Sequence, residues 1–272
     1  MEIHLWHTIL EPYDLAVREL TMKFEYIRFS HHLHDRYSPI EQVSGRVKSV
    51  TSILEKMQRK NITMETLAES MEDIAGIRII CQFEEDIKAV ADLIRKRSDM
   101  EIKSEKDYLK HTKQSGYRSY HIIVWYTVET IEGPKRLQVE IQIRTMAMNF
   151  WATVEHSLQY KYKGDIPPHV TDRLTAAAEA IISLDHEMSS VRSEIMDAQV
   201  SSQMKMNLVQ NILNEIEHLY HCASNREVMK IQDEFLSVYR SKDIGKLERF
   251  QRELDIITEG YRAQEAAFEP RR

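Results

Sequence analysis

Apolar and polar positions repeat along the chain with two different periods. In LQVEIQIRT, Leu137, Val139, Ile141 and Ile143 alternate with Gln138, Glu140, Gln142 and Arg144, the two-residue period of a strand with one apolar and one polar face. SYHIIVWYTVE, Ser119 to Glu129, reads as a second strand. Gly133-Pro134 lies between them, which predicts an antiparallel pair joined by a short loop. GIRIICQF, opening at Gly76, is an isoleucine-rich run of the kind found in buried strands. Elsewhere the period is helical. Pro12 to His34 brings Leu15, Leu20, Phe24 and Ile27 near one face, with Pro12 suited to the first turn. Ser49 to Lys60 turns Ile53, Leu54 and Met57 inward, and a short helix follows from about Thr63 to Met71. Glu84 to Arg97 spaces Ile87, Val90 and Ile94 for a helix.

From Asn149 onward the pattern is helical throughout, broken at Pro167-Pro168. A long helix is expected from about His169 to Gln203, with others near Asn207 to Cys222, Arg226 to Arg240 and Ile244 to Ala263. The last two have the lengths of a helical hairpin, and no internal repeat is visible. The order of helices, strand, helix, strands and helices predicts an α+β fold, a mixed sheet flanked by helices with a helical C-terminal extension. The expected organisation is a mixed domain over 1–205 and a helical extension over 206–272.

Composition narrows the class. The 272 residues are 42% hydrophobic with a formal net charge of -6. That balance argues against general nucleic-acid binding while leaving room for a locally basic pocket. Two cysteines, Cys81 and Cys222, do not make a disulfide framework. No apolar run approaches the roughly 20 residues of a membrane span, and the N-terminus lacks the basic and apolar regions of a secretion signal. The expectation is a reduced, cytoplasmic protein without a membrane partner.

The polar face of LQVEIQIRT points to chemistry because acids and amides are poor strand formers and neighbouring segments offer them partners. In MEDIAGIRI, Asp73 precedes a strand and Arg78 lies on it; a carboxylate at a strand edge and Glu140 on a neighbouring strand can jointly hold Mg²⁺. Arg46, Lys48, Lys56 and Arg59 form a basic set, the last three spaced close to one helix face, suited to a polyphosphate. In HTKQSGYRSYH, Lys113, Tyr117, Arg118 and His121 surround Gly116, so an aromatic ring beside a turn has cations near it. In NFWATVEHSLQYKY, Asn149, Glu155 and His156 lie on a helix whose core face is Trp151, Val154 and Leu158. Each feature alone has an ordinary reading: a solvated strand face, a turn aspartate, a solvated helix face, a core tyrosine. Their joint occurrence in this order does not.

SPIEQVSGRVKSVTSILEKMQRK, MEDIAGIRIICQF, DYLKHTKQSGYRSYH and VEIQIRTMAMNFWATVEHSLQYKYKGDIP together resemble the synthetase domain of the Rel/Spo alarmone synthetases, and more closely their small stand-alone RelQ type. The resemblance covers most of residues 10 to 205. It implies a nucleotidyltransferase-like sheet and transfer of pyrophosphate from ATP to the 3′-hydroxyl of GTP or GDP, possibly also GMP, with release of AMP. It implies that Arg46 and Arg78 sandwich adenine, that Lys48, Lys56 and Arg59 hold the ATP phosphates, and that Asp73 and Glu140 bind Mg²⁺. Glu140 is in addition a candidate acceptor for the hydroxyl proton. Tyr117 would stack on guanine, Lys113 and His121 would contact the acceptor phosphates, and Gln142, Arg144, Asn149 and Glu155 would complete the pocket.

The resemblance also implies a homo-oligomer, typically a tetramer, with an alarmone bound in its centre as activator. Here Gln42, Thr21 and Glu25 stand where that central ligand would be stacked and its phosphates paired, so product activation is expected to be weak or absent. Lys106 stands where an arginine is common. The competing readings are a tRNA 3′-end pyrophosphokinase toxin and a catalytically silent nucleotide-binding regulator. The tail's mixed charge does not favour RNA, although regulation by single-stranded RNA is left open. His31-His32 and His34-Asp35 lack the rest of a hydrolase metal motif and read as surface or assembly residues.

Overall fold

The computed structural model describes residues 2–111, 115–161 and 167–268, with side chains described over 6–111, 115–158, 167 and 169–263. The chain divides into two compact units, Met1–Ser190 and Val191–Arg272.

The first unit is built on a mixed five-stranded sheet, β1 (Gln42–Val47), β2 (Ala75–Cys81), β3 (Met100–Asp107), β4 (Tyr120–Thr130) and β5 (Gly133–Thr145), in the spatial order β1-β2-β5-β4-β3. β2 and β5 are parallel neighbours at the centre, and every other pairing is antiparallel. β4 and β5 pair as their alternation predicts, but the turn lies at 131–132 and Gly133 already belongs to β5, opposite Thr130. β1 and β3 are strands that the apolar pattern does not predict. Both lie at sheet edges, where one side of the ladder faces solvent and no continuous apolar run is needed.

One sheet face is apolar. Ile77, Ile79, Ile141, Ile143, Ile122 and Val124 are essentially fully buried and share a core with α1 (Glu2–Leu33) and α4 (Glu84–Arg95). α1 contributes Tyr13, Ala16, Val17, Leu20 and Phe24, and α4 contributes Ile87, Val90, Ala91 and Ile94. α1 starts well before Pro12, which sits inside the helix rather than at its first turn. A proline there forfeits a backbone bond; the upstream residues Trp6, Ile9 and Leu10 packing against the core offset that loss.

α2 (Val50–Lys60) is capped by Ser49, whose hydroxyl accepts from the Ser52 amide, and ends at Asn61 in the left-handed conformation with φ 56°. Ile53 is its buried residue, whereas Leu54, expected to point inward, is exposed: the helix contacts the core along a narrow stripe. α3 (Leu67–Ser70) is a single turn. α5 (Met146–Lys161) buries Trp151 and Ala152 while Val154, also expected in the core, faces out.

α6 (Pro168–Cys222) is one continuous helix where two were expected, because nothing between Gln203 and Asn207 breaks the backbone ladder. Its first part lies in the first unit, where Trp151 donates from Nε1 to the Leu174 carbonyl and Thr145 donates to Asp185. In the second unit, the rest of α6, α7 (Asn225–Arg240) and α8 (Ile244–Phe268) surround their own core of Ile212, Ile216, Leu219, Val228, Phe235, Leu247, Phe250 and Leu254. α7 opens with a reciprocal cap between Ser224 and Glu227. No helix among the described residues is long and apolar enough to cross a membrane.

Candidate active site

The second sheet face carries the polar row. In the register, Ser44, Arg78, Gln142, His121 and Lys106 lie side by side across all five strands, and Glu140 lies opposite Gly76, one step beyond Arg46. The strands therefore gather residues remote in sequence onto one floor. Above it opens a cleft of about 590 Å³ lined by Arg46, Asp73, Arg78, Ser115, Tyr117, His121, Glu140, Gln142, Arg144, Ala152, Thr153, Glu155 and His156.

Of the residues singled out in the sequence, most meet here. Lys48 and Lys56 reach the cleft through Asp73, whose two carboxylate oxygens accept from Lys48 Nζ at 2.8 Å and Lys56 Nζ at 2.7 Å. Arg59, in the last turn of α2, and Asn149, in the first turn of α5, do not line it. Lys113 lies outside the described residues. Ser115, Ala152 and Thr153 also line the cleft and were not singled out in the sequence; Ala152 stands three and four residues before Glu155 and His156, a spacing that places it on their face of α5.

A closed ring of hydrogen bonds occupies the floor. Glu140 Oε1 is 3.0 Å from His121 Nδ1, His121 Nε2 is 2.9 Å from the Tyr117 hydroxyl, and Arg144 Nη2 donates to that hydroxyl and to Gln142 Oε1. Gln142 Nε2 closes the ring by donating to Glu140 Oε2 at 2.8 Å. The Tyr117 hydroxyl thus links Arg144 to His121, and the imidazole links that hydroxyl to the Glu140 carboxylate. Arg144 also lies over the Tyr117 ring, 5.0 Å from its centroid, and Tyr108 packs edge-on against both Tyr117 and His121. The ring orientation of Tyr117 is thus fixed.

Two carboxylates and three guanidiniums set the electrostatics. Burial alone would raise Glu140, but the bond and charge of His121 and the amide of Gln142 outweigh it and hold the carboxyl below its ordinary value. Burial likewise opposes ionisation of Asp73, and Lys48 and Lys56 overcome it, so this carboxyl also sits low. Asp73 and Glu140 are close enough that each repels the other's charge. Arg78 is lowered by burial and then by the crowding of Arg144 and Arg46, and its Nε is buried without a partner. Cations held together in this way suit a polyanion. Among the described residues no group of three or more potential metal ligands is poised together; the pair of hard carboxylate donors fits Mg²⁺, which is commonly held by one or two carboxylates plus substrate phosphates.

Around this centre, Glu72 accepts from Lys106 at 2.7 Å and from Lys103 at 3.3 Å. Lys103 also donates to the fully buried Gln138, whose amide donates to the carbonyls of Ala68 and Glu69. Gln138 faces the polar side, as its alternation predicts, but ties β5 to α3 rather than lining the cleft.

Residues 45–165 match the family model described as a region found in RelA / SpoT proteins. The chain is 50% identical over 205 residues to the GTP pyrophosphokinase YjbM of Bacillus subtilis, covering 75% of this chain and 97% of that protein. Among solved structures it is similar to the small alarmone synthetase 1 of Bacillus subtilis bound to its product pppGpp, with 51% identity, a TM-score of 0.68, and coverage of 70% of this chain and 98% of that one. The same enzyme bound to AMPCPP aligns at 47% identity with a TM-score of 0.63, over 71% of this chain and 98% of that one. The chain therefore belongs to the RelA/SpoT family, within its group of small alarmone synthetases.

Proposed function

We propose that this chain is a GTP diphosphokinase: it moves pyrophosphate from ATP to the 3′-hydroxyl of GTP or GDP and releases AMP. The observation that carries the reading is the joining of Asp73 and Glu140 with Arg46, Arg78 and Arg144 in one cleft whose floor ends in a fixed tyrosine ring. In the reaction the 3′-oxygen attacks the β-phosphorus, the bond from that phosphorus to the bridging oxygen of AMP breaks, and the hydroxyl proton is lost. The reacting groups are strongly anionic, so alignment and charge neutralisation do most of the work.

Arg46 and Arg78 would flank adenine, and Lys48, Lys56 and Arg59 would take the ATP phosphates. Tyr117 would stack on guanine, with Lys113, His121, Gln142, Arg144, Asn149 and Glu155 completing the acceptor side. Glu140 is ionised at neutral pH, as a proton acceptor must be, and its ring of partners aims it. Mg²⁺ held by Asp73 and Glu140 would neutralise the charge that gathers on the transferring phosphoryl oxygens. GMP is a candidate third acceptor.

The same reading makes the protein a cytoplasmic homo-oligomer. An exposed stripe on α1, Met22, Tyr26, Phe29 and Leu33, supports the assembly. At the positions that depart from the family's activator site, Glu25 accepts from the Val43 amide and from Arg28, and Thr21 packs under Gly45. Both serve β1 and offer no cation to a phosphate, in keeping with weak or absent product activation.

The test is product analysis with labelled ATP and GTP, GDP, GMP or tRNA as acceptor. A 3′-pyrophosphorylated guanine nucleotide is expected, lost in Glu140→Val and Asp73→Asn proteins whose circular dichroism is unchanged. Labelling of tRNA alone would replace this function with the toxin reading, and a folded Glu140→Val protein of full activity would remove Glu140 from it.

A further inference from the structure

Within the cleft the protein's own side chains already satisfy both carboxylates of the pair. Asp73 accepts from Lys48 on one oxygen and from Lys56 on the other, and all three side chains are only about one-fifth exposed. Glu140 accepts from His121 on one oxygen and from Gln142 on the other. The two ammonium groups bring to Asp73 the charge of one divalent cation, at hydrogen-bonding distance.

This pairing is made by the fold. Lys48 leaves the end of β1, its amide donating to the Ile74 carbonyl next to Asp73. Lys56 lies on α2, whose first turn is fixed by the Ser49 cap. A lone divalent ion approaching Asp73 meets these two cations and, beyond them, Arg46 and Arg78 across the cleft. An ATP polyphosphate offers the lysines a stronger anion, and their flexible stems allow the exchange.

Building on the proposed use of ATP and Mg²⁺, we propose that Lys48 and Lys56 act as placeholders for the metal, so that a divalent cation gains Asp73 only when the ATP phosphates draw the lysines away. Metal and nucleotide then bind with positive coupling, and by linkage each strengthens the other by the same factor. The resting cleft stays closed to free divalent cations despite its two carboxylates.

Mn²⁺ alone, followed by its electron paramagnetic resonance signal, tests this without any turnover. The nucleotide-free protein is expected to leave Mn²⁺ free at millimolar-order concentrations. Lys48→Met/Lys56→Met is expected to bind one Mn²⁺ per chain at least roughly tenfold more tightly, and adding Asp73→Asn to it to abolish the gain. Lys56→Met alone serves if the double variant does not fold, with a smaller gain expected. The proposal is overturned if the nucleotide-free wild type binds Mn²⁺ as tightly as the lysine variants, if folded lysine variants gain nothing, or if the gained site survives Asp73→Asn. Product analysis of the wild type is read separately. Loss of the Mn²⁺ pattern with alarmone synthesis intact removes the placeholder role, and the reverse removes the assigned reaction.

Discussion

A single methyl group added at Gly116 measures how tightly the acceptor side is built. Gly116 has φ +83°, and a Cβ there would stand 2.4 Å from Ala178 Cβ, 3.7 Å from Trp151 Cζ2 and 3.8 Å from Thr175 Cα. Carbons in contact are about 3.5–4.0 Å apart, so something must move by about 1 Å or more. The left-handed backbone adds roughly 1–2 kcal/mol for an L-residue, and over-packing adds about 1–3 kcal/mol. The total is about 2–5 kcal/mol, which for a unit of this size lowers Tm by on the order of 10 °C. The displacement does not stay local, because Trp151, Ala152 and Ala178 form a small buried cluster with Tyr117 packed against it. Gly116→Ala should therefore raise the KM for GTP by on the order of 100-fold, the cost of a misplacement of about 1 Å, and change that for ATP little. Ala178→Gly in the same chain should recover the packing part of the loss and leave the backbone part. Thermal unfolding and separate saturation curves for the two nucleotides read the outcome. A Gly116→Ala protein with wild-type Tm and wild-type KM for GTP would refute the argument, as would a double variant no better than the single.

Other perturbations follow from the same geometry. Tyr117→Phe keeps the ring but removes the hydroxyl that joins Arg144 to His121; taking that partner from His121 Nε2 should cost about 1–3 kcal/mol, read as a fall of roughly tenfold or more in kcat with the KM for GTP little changed. Tyr117→Ala should instead raise the KM for GTP and spare that for ATP, and equal losses for both would make the ring structural. In the second unit, burial and the hydrogen-bonded Asp255, opposed by Arg262, push the Glu215 carboxyl up to about 7. A raised acid stabilises the fold in its protonated form, so this contribution is full below the unfolded value of about 4.3 and fades as pH rises through about 7. Amide exchange in α8 should therefore quicken, beyond its intrinsic rise, between about pH 4.3 and 7 and no further above that, and Glu215→Gln should flatten the difference; an identical profile in the variant would discard the pair as its source. Cys81 is fully buried and its thiol is pushed well up by burial and by Asp86, so a thiol reagent should label Cys222 in the native protein and reach Cys81 only after unfolding.

The central strands were legible because their burial is written in period two: Leu137, Val139, Ile141 and Ile143 on one face, Glu140, Gln142 and Arg144 on the other. The edge strands were not. QVSGRV and MEIKSEKD bury little, and their ladders depend on β2 and β4 being in place. Helix faces were read too broadly, as Leu54 and Val154 show: propensity marks them apolar, but only the packing geometry decides which apolar positions find a partner. At the site, Asp73, Tyr117, His121 and Glu140 could be chosen by residue type and order. Their wiring could not, since bonds such as Lys56 to Asp73 or Tyr117 to His121 depend on rotamers that no spacing encodes. Asn149 is expected at the cleft through the family resemblance and stands in the first turn of α5, outside the lining.

The parallel pairing of β2 with β5 has a consequence for how the protein is made. Asp73 precedes one of these strands and Glu140 lies on the other, and the chain between them must travel through α4, β3 and β4 before the two can be neighbours. Closing so large an excursion costs entropy before any contact repays it. A nascent chain that has emerged only as far as β4 already holds the lysines, Asp73, Tyr117 and His121, but has no central partner strand to align them. The nucleotide cleft thus cannot assemble before β5 is in place, and a chain truncated before β5 would be inert rather than partly active.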